Sequence, residues 1–114
     1  MSLHPQLHPG EYVFVTVPEG VPLGVAPVAT VVEPEGLTLV LTRDDADSAG
    51  LAYDYVAGWI TLGAQTTLEQ VGITAAFATR LAEAGISCNV VAGFHHDHLF
   101  VPRDRADEAV TLLA

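Results

Sequence analysis

Hydrophobic positions along the chain fall into short runs separated by proline, glycine and charge, and the spacing within each run predicts its structure. Tyr12-Val13-Phe14-Val15-Thr16-Val17 is β-branched or aromatic throughout and reads as a strand. Residues 18–27 hold three prolines and two glycines, which forbid a regular helix and leave a turn-rich connector. Residues 28–32 and 37–41 are the arms of a hairpin joined through Glu33-Pro34-Glu35-Gly36. A short helix follows over 43–49: Thr42 and Asp45 have capping-box spacing, Asp44 and Asp45 suit the helix dipole, and Gly50 ends it. Residues 1–10 carry two His-Pro pairs and no periodicity, so they are expected to form a flexible arm.

The organising stretch is 59–101. Trp59-Ile60-Thr61-Leu62 predicts a buried strand, 63–65 a loop, and 67–84 a helix stopped by Gly85. On a helical wheel Ile73, Phe77 and Leu81 make one apolar stripe, and Leu68, Val71, Ala75, Ala78 and Ala82 make another well round the cylinder. A helix that covers one sheet needs only one stripe. The second predicts another helix against it, from the same chain or a second copy. Residues 86–94 and 99–101 then form a hairpin around His95-His96-Asp97-His98, and 103–113 closes as a helix with Ala106, Ala109, Val110 and Leu113 inward.

An internal repeat joins these parts. The segment 39–49 lies over 99–109 with six identities in eleven positions and no gap, and each copy follows a hairpin. The chain therefore divides into an arm (1–10), a truncated first unit (11–56) and a second unit (57–114). Strand, helix, strand, strand, helix is the ferredoxin-like order, an α+β class with antiparallel sheets and helices on one face. The second unit lacks its last strand, and a bare sheet edge invites pairing. Tyr12–Val17 is expected to supply that strand.

Composition narrows the function. Half the residues are hydrophobic, ample for a packed core, while fourteen acids against four arginines give a formal charge of −10. Nucleic acid and anionic membrane are poor partners for such a surface. With no lysine, a Schiff-base nucleophile, a pyridoxal anchor and a Walker loop are all excluded. Cys88 stands alone in an apolar run, which fits a reduced compartment, and the amino terminus has no basic start followed by an apolar stretch. A cytoplasmic location is expected. Ser87 and Cys88 have no histidine at a telling spacing, and no carboxylate pair sits within an apolar stretch, so neither catalysis nor a cofactor is expected.

Among candidate ligands for a metal, His95, His96, Asp97 and His98 stand together, and His4 and His8 are possible additions. Adjacent residues in a turn project in different directions and do not converge on one ion. The favoured reading is that Asp97 caps the turn while the histidines hydrogen-bond or face solvent, with no metal site.

Leu68-Glu69-Gln70-Val71-Gly72-Ile73-Thr74-Ala75, followed by Leu81-Ala82-Glu83-Ala84-Gly85-Ile86, resembles the first helix and second strand of ACT domains, small ferredoxin-like modules that bind amino acids and regulate metabolic enzymes. The run 96–102, taken with 34–40 upstream, resembles a bacterial branch of free-standing tandem ACT proteins. The likeness covers most of the chain beyond Gly10. It implies a ligand amino acid held where the loop before the first helix of one module faces a strand of its neighbour. Carried over, this points to Ala64, Gln65, Thr66, Val71, Gly72 and Ile73, with Asn89 and Val90 facing them. Gly72 lets a backbone approach a ligand, and free amides at a helix start attract a carboxylate. Close packing of the helix is the other reading of Gly72, and N-capping by Thr66 or Thr67 is the other reading of the loop.

The function expected is a non-catalytic small-molecule sensor, homodimeric through helix or edge-strand contacts, whose ligand shifts the packing of its repeats and whose target is a separate chain. The alternatives are a structural or partner-binding module without ligand, and a histidine-cluster metal protein.

Overall fold

The computed structural model describes residues 2–63 and 71–114. In chain order its elements are strands β1 (Pro5–Leu7), β2 (Tyr12–Val17), β3 (Ala29–Glu33) and β4 (Gly36–Thr42), helix α1 (Arg43–Ser48), strand β5 (Val56–Leu62), helix α2 (Ile73–Glu83), strands β6 (Asn89–Ala92) and β7 (Asp97–Pro102), a 3-10 turn (Arg103–Arg105) and helix α3 (Ala106–Leu113). They form two compact units, Gly10–Ala57 and Met1–Pro9 with Gly58–Ala114. Strand β5 begins in the first and continues in the second.

In the unit Gly10–Ala57, β4 is central. It pairs antiparallel with β2 along its whole length, from Tyr12↔Thr42 to Val17↔Leu37, and on its other side with β3. Side chains of a strand alternate between faces, so Val13, Val15 and Val17 join Leu39, Leu41 and Ala46 in one core. Helix α1 starts as its sequence demands, with Thr42 Oγ1 accepting from the Asp45 amide at 3.2 Å.

In the other unit β1 pairs antiparallel with β5 (Pro5↔Leu62, Leu7↔Ile60), β7 lies on β5's other side, and β6 is the edge strand. Ile60 and Leu62 of β5 and Leu99 and Val101 of β7 point into a core with Phe77 and Leu81 of α2 and Ala106, Ala109 and Leu113 of α3. Both helices therefore cover one face. Trp59, Thr61 and His98 stand on the opposite one by alternation.

Three expectations change. The arm 1–10 is not loose: Leu3 is 1% exposed within the core, its amide donates to the Leu113 carbonyl at 3.0 Å, and Pro5–Leu7 is a strand. Proline is tolerated there because it opens the strand. Tyr12–Val17 does not complete the second unit; it meets β5 only at Tyr12↔Ala57 and Val13↔Val56, and β1 supplies the missing strand at residues 60–62. Finally, the central helix begins at Ile73, since Gly72 takes a left-handed φ of 98° that no preceding helical turn can run through. Residues 67–70 lie outside the described residues, and the predicted second stripe now begins with Ala75, Ala78 and Ala82, all exposed in the single chain. No described helix is long and apolar enough to cross a membrane.

Candidate functional site

Helix α2 opens without a side-chain cap. Gly72 is its N-cap, the Gly72 carbonyl accepts the Ala76 amide at 3.0 Å, and no described side chain bonds the first-turn amides. No acid stands in that turn, so among the described residues the amides of Ile73, Thr74 and Ala75 keep the positive end of the helix without a counter-charge. A Cβ on Gly72 would meet no described atom within 4 Å, so close packing does not explain this glycine; its φ does. Gly72 holds the cap position of α2, and Thr67, the other expected cap along with Thr66, lies outside the described residues. Ala64, Gln65 and Thr66 lie outside the described residues.

Of the other expected ligand contacts, Val71 is 91% exposed beside Gly72, while the Ile73 side chain packs against the core. Asn89 and Val90 are on the edge strand, paired with Phe100 and Leu99, and both are exposed. No hydrogen bond among the described residues links these two positions to Gly72.

The histidines gather differently from their order in the chain. His8 stacks on Trp59 with ring centroids 3.5 Å apart and planes 9° from parallel. His8 Nε2 lies 2.7 Å from Thr61 Oγ1, which lies 3.0 Å from His98 Nδ1, and Trp59 Nε1 donates to the same Nδ1 at 3.1 Å. An indole N–H can only donate, so His98 Nδ1 is unprotonated. Thr61 Oγ1 thus bridges the rings of His8 and His98. Burial, then the nearby His98, holds His8 below its ordinary pKa; burial and His96 do the same to His98, against an upward pull from Asp97.

His95 is exposed edge-on to Phe94, and His96 Nδ1 is buried with no partner among the described residues. Asp97 does not cap the turn: it is the first residue of β7, and the Gly93 amide closes the turn on the His96 carbonyl at 2.9 Å. His4 turns away through a φ of 51°, its carbonyl accepting the Gly63 amide at 2.7 Å. Among the described residues no three histidine, cysteine or acidic side chains come together as metal ligands.

The His8–Trp59 stack was missed in the sequence because β1 was missed. With Leu7 opposite Ile60 on the core side, alternation sends Gln6 and His8 to the face of Trp59. Cys88 packs against the core, and burial pushes its thiol up to about 11, which makes it a poor nucleophile. In the other unit Arg43 donates to Tyr53 at 2.8 Å and pairs with Glu11 at 3.3 Å, while Tyr53 donates to Asp47 at 2.7 Å, a polar brace along α1.

Models of the ACT domain match residues 1–58 and residues 55–114. No curated protein matches the chain in sequence. Among solved structures, a Vibrio cholerae protein of unknown function, described as a possible transport protein, is 49% identical over 99% of this chain and 88% of its own, with a TM-score of 0.91. A protein from Agrobacterium tumefaciens is 20% identical over 99% of this chain and 87% of its own, with a TM-score of 0.81. The ligand-free regulatory subunit of aspartate kinase from Thermus thermophilus shares the fold at 10% identity, covering 96% of this chain and 92% of its own with a TM-score of 0.70.

Proposed function

Since the chain belongs to the ACT domain family, we propose that it is a non-catalytic regulatory module that binds an amino acid and acts on a separate protein. ACT domains are regulatory modules, and the observation that carries the reading here is the start of α2. A left-handed glycine leaves the first-turn amides uncapped by any described side chain, the arrangement a carboxylate needs. The α-carboxylate of the ligand bonds the amides after Gly72, its side chain rests on Val71, and Asn89 and the backbone of β6 receive its ammonium group. Loop residues Ala64, Gln65 and Thr66 complete the site, together with Ile73 and Val90.

The site is proposed to form between modules of two copies in a cytoplasmic homodimer. Supporting this, Ala75, Ala78 and Ala82 are exposed on α2, and β6 is an edge strand. Ligand binding then shifts how the copies pack.

The test is the melting temperature alone and with each common amino acid. A ligand at a hundred times its dissociation constant adds about 2.7 kcal/mol, several degrees for a domain of this size. A rise with one amino acid, lost in Gly72→Leu, supports the reading. A flat panel overturns it and leaves an interaction module without ligand.

A further inference from the structure

We propose that the unit Gly10–Ala57 carries a docking groove for a cationic amphipathic segment of a partner protein, seated on Val32 and Leu37. The repeat shows what is missing there. Between its strand β5 and its hairpin, the second unit has α2, whose Phe77 and Leu81 are fully buried. At the same place in the first unit, between β2 and β3, the chain is a proline and glycine connector without a helix.

The consequence is apolar surface left open. Val32 lies opposite Leu37, which packs at the margin of the core, yet Val32 is 86% exposed. Leu23 of the connector is fully exposed, and β3 is an edge strand. A groove runs here between Pro18 and the turn of the hairpin, with Val32 and Leu37 in its floor and Glu19, Glu33 and Glu35 on its rim. Its shape is set in advance: Gly36 has φ 152°, a Cβ there would lie 2.6 Å from the Val17 carbonyl, and Thr38 donates a hydrogen bond to the Glu33 carboxylate.

Charge decides the occupant. Three carboxylates and no arginine line the groove, in a chain of formal charge −10. A second copy seated groove to groove would set these carboxylates against one another, and any anionic surface is repelled as well. A partner segment with one apolar face and flanking lysine or arginine satisfies both the floor and the rim, as helix-in-groove recognition does elsewhere. This site is independent of the amino-acid reading, since its residues lie in the other unit.

The experiment uses the full chain and a fluorescent leucine-lysine helical peptide of about 18 residues, with a leucine-glutamate peptide as its counterpart, at physiological salt. Binding of the cationic peptide alone is expected, weakened about tenfold or more by Val32→Glu. That substitution adds negative charge, so attraction by net charge alone predicts equal or tighter binding, and this result overturns the proposal. A triple variant, Glu19→Gln, Glu33→Gln and Glu35→Gln, is expected to weaken binding severalfold, while Asp44→Asn with Asp107→Asn and Glu108→Gln, removing as many charges elsewhere, is not. Equal loss from both triple variants, binding of the acidic peptide, or no binding of either peptide also overturns it.

Discussion

The indole of Trp59 donates to His98 Nδ1 at 3.1 Å, so the one tryptophan of the chain is tied to a ring that must stay neutral to accept it. Thr61 extends the bond to His8, and His8 lies flat on the indole, linking β1, β5 and β7 on the face away from the helices.

This linkage makes stability depend on pH. His8 and His98 are both held below the ordinary 6.5, mainly by burial. The unfolded chain then takes up protons before the folded one, so the stability from these side chains is complete above about pH 6.5 and is lost as pH falls below it. Urea midpoints measured between pH 7.5 and 5.5 should decline, and His98→Gln, which cannot be protonated, should flatten the decline. An unchanged slope in that variant would show that His98 is not a source of it.

Gly93 allows His98 its position. A Cβ at residue 93 would sit 2.8 Å from the His96 carbonyl oxygen and 3.1 Å from His98 Nε2. Gly93→Ala should therefore cost about 1–3 kcal/mol through overpacking. It should also shift the emission of Trp59, because the displaced ring no longer accepts its N–H. A blue-shifted or red-shifted spectrum in the folded variant is the readout; an unmoved one argues against the link.

Leu3 anchors the first strand. Buried at 1% exposure beside α3, it should destabilise the protein by about 2–5 kcal/mol when cut to alanine. Gln6→Ala, at an exposed position of the same strand, should change stability by no more than about 0.5 kcal/mol. Equal effects of the two would mean that these residues behave as a tail.

Cys88 should resist alkylation. With its thiol pushed up to about 11, hardly any thiolate exists at pH 7.5 in the folded chain. Iodoacetamide should react slowly until denaturant unfolds the protein, after which the rate rises to that of a free cysteine.

What could be read from sequence was what local chemistry dictates. Thr42 with its acids announced α1, Glu33-Pro34-Glu35-Gly36 announced the first hairpin, and Phe77 and Leu81 announced the buried face of α2. The ACT likeness came from motifs at 68–86 and 96–102, taken with 34–40, and agrees with the family match. What escaped depended on partners far along the chain. Pro5-Gln6-Leu7 has no strand propensity to speak of, and only a place beside residues 60–62 makes it one. Likewise the glycine in Val71-Gly72-Ile73 looked like part of a helix because its neighbours suit one, whereas its φ puts it at the start. His8 and His98 are ninety residues apart, and no spacing rule brings them to one hydroxyl.

The placement of Leu3 also sets an order of events at the ribosome. Residues 10–57 hold β2, β3, β4, α1 and the start of β5, so the pairing of β4 with β2 and β3 is available once they have emerged. Residues 1–9 are made before all of their partners, which are β5 and helix α3, with Leu3 bonded to Leu113. At about 5–20 residues per second, the amino terminus waits on the order of ten seconds before its own site exists. A late part of the nascent chain thus captures an early one. A stalled or shortened message would leave Leu3 without its partners, a ready handle for quality-control proteases.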